Sequence, residues 1–187
     1  IESLRNDTYK AISNVMRNVF GLAGVFVWAF ASTCSVMVSN LMGQKREDLV
    51  ITAINKIVRL CMGLCIFICL LVNIFPATFF SMFGQGEEFV QQGIPVLRVV
   101  SADLLLMCIA NIWLNGVTGT GKTRINLLIE IVAITFYLLY SWFFIKMNFI
   151  SLAFAWTNEF IYWSCIFIIA YFYLKSGKWK SEQFADK

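Results

Sequence analysis

Charge is scarce in this chain. Only 14% of its 187 residues are Asp, Glu, Lys or Arg, against about 25% in soluble domains, and 59% are hydrophobic against roughly 45–50%. A chain of this size cannot hide so much apolar surface in one core, because small domains leave much of their surface wet. Histidine is absent, so a metal site would have to be built without imidazole. The six cysteines, at 34, 61, 65, 69, 108 and 165, all lie in apolar runs. No outward loop therefore carries a structural disulfide. Disorder, a collagen repeat and a secreted disulfide scaffold do not fit this composition. The net charge of +4 is scattered and forms no basic face, so no nucleic-acid partner is expected.

What is present is apolar length. Segments 19–42, 60–86 and 104–121 contain no charged residue, 125–145 contains only Glu130, and 147–174 contains only Glu159. A spanning helix needs roughly 20 mostly apolar residues. With polar ends allowed for, the runs predict helices near 11–42, 49–75, 94–115, 124–146 and 150–174. Sustained period-two alternation is missing, which argues against a β-barrel. Helices satisfy their own backbone hydrogen bonds in hydrocarbon, so the expected class is an all-α integral membrane protein with five transmembrane helices. The segment 43–48 is a polar connector, Pro95 is expected in the first turn of the third helix, 116–123 is expected to break the third helix from the fourth, and Lys146-Met147-Asn148 is the tightest connection.

Lys and Arg divide unequally between the two ends. Lys45, Arg46, Lys56, Arg59, Lys122, Arg124, Lys175, Lys178, Lys180 and Lys187 fall on one side, and Arg5, Lys10, Arg17, Arg98 and Lys146 on the other. This places the 43–48 and 116–124 loops and the C-terminus in the cytoplasm, with 76–93 and the N-terminus outside. The chain begins with Ile and enters on the charged Arg5-Asn6-Asp7 without a signal peptide. An amino-terminal part of a larger protein is therefore expected.

Gly116-Val117-Thr118-Gly119-Thr120-Gly121-Lys122-Thr123 satisfies G-x-x-x-x-G-K-[ST]. A phosphate-binding loop needs a strand before it and a helix after it, whereas apolar spanning segments lie on both sides here. The preferred reading is a glycine-rich cytoplasmic turn anchored by Lys122 and Arg124. Cys61, Cys65 and Cys69 form one helical stripe, but metal ligands usually sit in loops with a second cluster elsewhere. These cysteines are read as small apolar residues, and no metal and no catalytic residue is assigned.

The acids inside the spans carry the functional reading. A carboxylate at the bilayer centre costs at least about 2.5–3.5 kcal/mol, so it faces a cavity or a partner. Asp103 is expected about nine residues below the outer end of its helix, roughly 14 Å. Glu159 reaches a similar depth from the same side, and Glu130 lies a turn and a half in from the cytoplasm. Trp156, Glu159 and Trp163 recur at i, i+3 and i+7, one helix face. A carboxylate framed by indoles suits a lipophilic cation. Burial favours the neutral form of such an acid, which makes Asp103 a candidate proton carrier. Asn111 and Asn115 add a polar edge to the Asp103 helix.

Three stretches together resemble the multidrug and toxic compound extrusion (MATE) family of secondary transporters. They are Ser32-Thr33-Cys34-Ser35-Val36-Met37-Val38-Ser39-Asn40-Leu41-Met42-Gly43-Gln44; Phe75-Pro76 with Ile94-Pro95-Val96-Leu97-Arg98-Val99-Val100-Ser101; and Asn115-Gly116-Val117-Thr118-Gly119-Thr120-Gly121-Lys122-Thr123-Arg124. The third is similar to the family's loop before helix eleven, which accounts for the apparent nucleotide motif. The resemblance implies helices eight to twelve of a twelve-helix transporter: residues 1–174 as part of its C-terminal six-helix lobe, 175–187 as a cytoplasmic tail. It further implies a first lobe as partner, a multi-pass position in the plasma or inner membrane, and exchange of small cationic, often aromatic, compounds for Na⁺ or H⁺, with no cofactor beyond that ion. Carboxylates in helices one, seven and ten serve the family, and only Asp103 falls in the tenth. Asp103, Glu159, Trp156, Trp163, Glu130 and Asn111 are the candidate ion- and substrate-binding residues, with Asp103 and Glu159 foremost. Two rival functions are a lipid-linked oligosaccharide flippase of the same superfamily and an ATP-dependent membrane protein using the glycine-rich turn.

Overall fold

The computed structural model describes residues 2–81, 83, 87–147 and 155–180, with side chains from Tyr9 onward and not for 144–147. The elements are α1 (Glu2–Gly43), a 3-10 turn (Glu47–Leu49), α2 (Val50–Ile74), α3 (Pro76–Ser81), α4 (Glu87–Gly119), α5 (Thr123–Met147) and α6 (Asn158–Lys175). Among the described residues there is no strand. Four segments are long and apolar enough to cross a membrane: Tyr9–Gly43, Glu47–Ile74, Glu87–Gly119 and Thr123–Phe143. α6 is a fifth helix packed beside them, and its 18 residues rise about 27 Å.

α4 is the hub. It packs on α1, α2 and α6 and touches α3 and α5, while α5 leans mainly on α6. The larger core joins α1, α2, α4 and α6 around Val27, Cys34, Ile54, Met107, Trp113 and Ile166. A smaller core closes the opposite end, where Ile12 and Met16 meet Phe80, Phe89 and Val96. The remaining apolar side chains, among them Leu22, Leu71, Leu128 and Leu138, point outward. That arrangement suits lipid as solvent, since hydrocarbon imposes no penalty on an exposed leucine.

The two ends of α4 depart from expectation. The helix starts at Glu87, so Pro95 sits inside it and not in its first turn. A proline there has no N–H for the carbonyl four residues back. Packing compensates: Phe80 of α3 sits where a Cβ on Gly93 would be, 2.5 Å from that position. Glu87 and Glu88 also lie in the first turn, where the helix dipole favours acids. At the other end the helix does not break at Gly116 but continues to Gly119. A Cβ on Gly116 would stand 2.6 Å from Ile54 Cδ1, and one on Gly119 would stand 2.6 Å from the Ser35 carbonyl oxygen. Glycine is needed at both positions to let α1 and α2 approach, and the contacts offset its poor helix propensity. The break shrinks to Thr120, Gly121 and Lys122, with Gly121 left-handed at φ 79°.

Elsewhere the boundaries move modestly. α1 begins nine residues before the expected start, and the 76–93 connection holds α3 and the first turns of α4. Lys146 and Met147 still belong to α5, while Asn148 lies outside the described residues. So do 150–154 of the expected last helix; its described part has a turn at Thr157 before α6. Beyond Lys175 the chain doubles back at Gly177, and the Trp179 indole N–H donates to the Leu174 carbonyl at 2.7 Å. Lys180 thereby shares a surface hollow with Lys45, Glu47 and Asp48.

Candidate cation site

Asp103 is the middle residue of the 33-residue α4, deeper than its expected nine residues because the helix begins earlier. It is 1% exposed, and neither carboxylate oxygen has a hydrogen-bond partner. Buried polar atoms are nearly always paired, so an orphaned carboxylate in the core is an exception that asks for an explanation. Just before it on α4, the Ser101 hydroxyl accepts from Asn73 Nδ2 at 2.7 Å, tying α2 to α4.

Glu159 comes from the first turn of α6 and lies close enough to Asp103 for the two charges to repel. The packing of α6 on α4 puts both acids on helices that adjoin. Among the described residues neither forms an ion pair with Lys or Arg, and Glu130 has none either. Trp163, one turn on from Glu159, approaches its carboxylate without closing a hydrogen bond at Nε1, and its ring meets Tyr162 edge-on at 4.9 Å. Tyr162 in turn lies within the field of both Glu159 and Glu130.

Glu159 opens into a cavity of about 350 Å³ between α1, α5 and the start of α6. Its walls are Ser13, Arg17, Phe20, Tyr137, Ala155, Trp156, Asn158 and Glu159. Trp156 packs on Phe20 with ring centroids 6.4 Å apart. Asn158 donates to Ser141 at 2.5 Å, linking α6 to α5 beside this opening. Trp156 and Glu159 thus share one cavity, while Trp163 is not among its lining residues.

Glu130 and Asn111 sit in other surroundings. Asn126 Nδ2 donates to Glu130 Oε1 at 3.0 Å, and the Thr118 hydroxyl stands 3.1 Å from Asn126 Oδ1, a chain bridging α4 and α5. Asn111 is 7% exposed and accepts at Oδ1 from Asn115 at 2.8 Å, a pair on one helix two turns beyond Asp103. Of the candidate residues, then, Glu159 and Trp156 share the cavity, Trp163 lies one turn along α6 from Glu159, and Asp103 is buried in α4, on which α6 packs. Glu130 lies toward the Lys122 turn, and Asn111 is held within α4.

Sequence reasoning did not name Ser13, Arg17, Phe20, Tyr137 or Asn158 as wall residues. Tyr137 carried a usable signal, being two turns from Glu130 on the same helix face. The α1 residues carried none, because their role depends on which helices become neighbours. The glycine-rich motif holds no phosphate cradle: Gly116 and Gly119 are buried at helix contacts and their amides belong to α4. The ATP-dependent reading is set aside on that geometry.

A model of the MatE family matches residues 10–143, which takes in α2, α3 and α4 and most of α1 and α5. No curated protein and no solved structure matches the chain. The family match covers well over half of the sequence and agrees with the spanning helices. The chain belongs to the MatE family of membrane transporters.

Proposed function

We propose that the chain is the helix-eight-to-twelve part of a cation-coupled antiporter that exports amphipathic cations across the plasma or inner membrane, with its C-terminus in the cytoplasm. The observation that carries this reading is the Asp103–Glu159 pair: two acids without an ion-paired base, one orphaned in the core and the other opening into an aromatic-walled cavity. Two neighbouring carboxylates are complemented by positive charge, whether Na⁺, H⁺ or the charged head of a substrate. Competition for that charge couples the two fluxes, since occupation by one ligand lowers affinity for the other. Trp156 and Phe20 supply an apolar surface for the body of the cargo, and the Trp156 face suits its charge. A first six-helix lobe is the partner that completes an alternating pathway.

The test is efflux of a fluorescent cationic dye from energised vesicles bearing the complete transporter. Asp103→Asn and Glu159→Gln should each reduce ion-driven efflux on the order of a hundredfold, the upper range for coupling between two ligands. Glu130→Gln should cost several-fold at most, because its partner is an amide that tolerates the replacement. Membrane levels should not change. Wild-type efflux in both of the first two variants would refute the assignment.

Arg17 on the wall of the same cavity favours a second reading, a flippase for an anionic lipid-linked sugar. In that case Arg17→Ala abolishes transport and Glu159→Gln does not.

A further inference from the structure

Three cysteines that transport leaves unused converge in the core. Cys61 and Cys65, one turn apart on α2, meet Cys108 of α4, and the three sulfurs all lie within 4.8 Å of one another. The residues are 0%, 1% and 0% exposed. Cys69, the next member of the α2 stripe, is excluded: its thiol points to the Ser101 carbonyl, 3.6 Å away. Cys34 and Cys165 stand outside the group. The stripe alone resembled small apolar packing, and it was Cys108 from another helix that closed the set.

We propose that Cys61, Cys65 and Cys108 form a buried trithiol site for a trivalent thiophilic metalloid of the arsenite or antimonite class, which would tie α2 to α4. The spacing suits it. Three sulfurs about 2.3 Å from a pyramidal trivalent centre stand about 3.5 Å from one another, so sulfurs that lie within 4.8 Å need to close by about 1.3 Å at most.

Charge favours a trivalent centre. The site lies in the apolar cluster with Ile57, Leu104 and Met107, and no Lys or Arg is buried among the described residues. Three thiolates around a monovalent ion leave two negative charges there, and around a divalent ion one. An uncompensated charge in such surroundings costs several kcal/mol. A trivalent centre leaves none. Coordination number points the same way, since a trivalent arsenic or antimony is complete with three sulfurs and directs a lone pair at the fourth position. Zinc takes four ligands in its structural sites, and among the described residues the group offers three.

The chemistry balances without an oxidant or reductant. Uncharged As(OH)₃ exchanges three As–O bonds for three As–S bonds, and each thiol proton leaves with a hydroxide as water. Arsenic stays trivalent throughout. The reagent and the product are both neutral, so neither carries a charge through hydrocarbon.

The test uses the purified full chain in detergent micelles, treated with arsenite. Intact-protein mass should rise by one arsenic less three hydrogens, and arsenic X-ray absorption should count three sulfur neighbours. Cys69→Ser should leave both readings unchanged. Cys108→Ser should lose the three-sulfur signal and weaken retention by more than about a hundredfold, beyond the loss that a supporting residue alone costs a metal site. Failure of the wild type to retain arsenic, or a count of two sulfurs in it, overturns the proposal. The sulfur count is read on the unmodified chain, so it decides between these outcomes even if Cys108→Ser does not fold.

Discussion

The two helices on either side of the Gly121 turn contain 18-residue stretches of similar mean hydropathy, 1.9 in α4 and 1.7 in α5, yet 50% of the first stretch is buried and 11% of the second. In water the more apolar face goes inside. In lipid that rule loses its force, because the solvent is as oily as leucine. What separates the two helices is small and polar residues. α4 carries Gly93, Ala110, Gly116 and Gly119 at close contacts, with Asp103 and Asn111 buried along the same helix. α5 buries Ile129 and Ala133 and turns Leu127, Leu138 and Phe143 outward. The same contrast divides the acids. Asp103 on α4 has no hydrogen-bond partner, whereas Glu130 on α5 is held by Asn126.

Substitutions on the two helices should separate them sharply. Trp113 of α4 is 3% exposed and packs on Tyr171 at 4.9 Å and Phe167 at 6.4 Å. Trp113→Ala should cost about 3–5 kcal/mol in reversible unfolding in mixed micelles. A smaller loss, about 1–3 kcal/mol, is expected for Gly119→Ala. Its new methyl meets the Ser35 carbonyl and strains the hydrogen bond from Ser39 to the Gly119 oxygen, 3.0 Å long. Cysteine cross-linking across α1 and α4 should report that separation directly. Leu138→Ala on α5, where the side chain is 58% exposed, should stay within about 0.5 kcal/mol. Equal losses from Trp113→Ala and Leu138→Ala would erase the distinction between hub and lipid-facing helix.

Much of this fold could be read in advance. A charge-free run of twenty residues has one stable form in hydrocarbon, and helix number and order follow from counting such runs. The ends of α4 could not be read that way. Pro95 and Gly116 obey local rules that end helices, and here those rules lose to contacts with Phe80 and Ile54 on other elements. The candidate site divides along the same line. Asp103 and Glu159 stood out because each is costly where it sits. Their nearness to each other did not, nor did the wall that α1 lends through Ser13, Arg17 and Phe20, since no spacing along one helix encodes which helix faces it. Cys108 joining Cys61 and Cys65 is the same kind of fact.

The length of α1 has a consequence for whatever enters the cavity. Its 42 residues rise about 63 Å, roughly twice the oily thickness of a bilayer, and its charge-free part begins only at Val19. A bilayer centred on that part leaves Arg17 at the level of the lipid headgroups and Ser13 at or just beyond them, so this wall of the cavity lies outside the hydrocarbon layer. Molecules with a charged head and a greasy body collect at the headgroups far above their level in water. In the proposed antiporter, loading would then be governed by how strongly a compound partitions into the membrane surface, and weak recognition at the proposed Glu159 site would suffice for efficient capture.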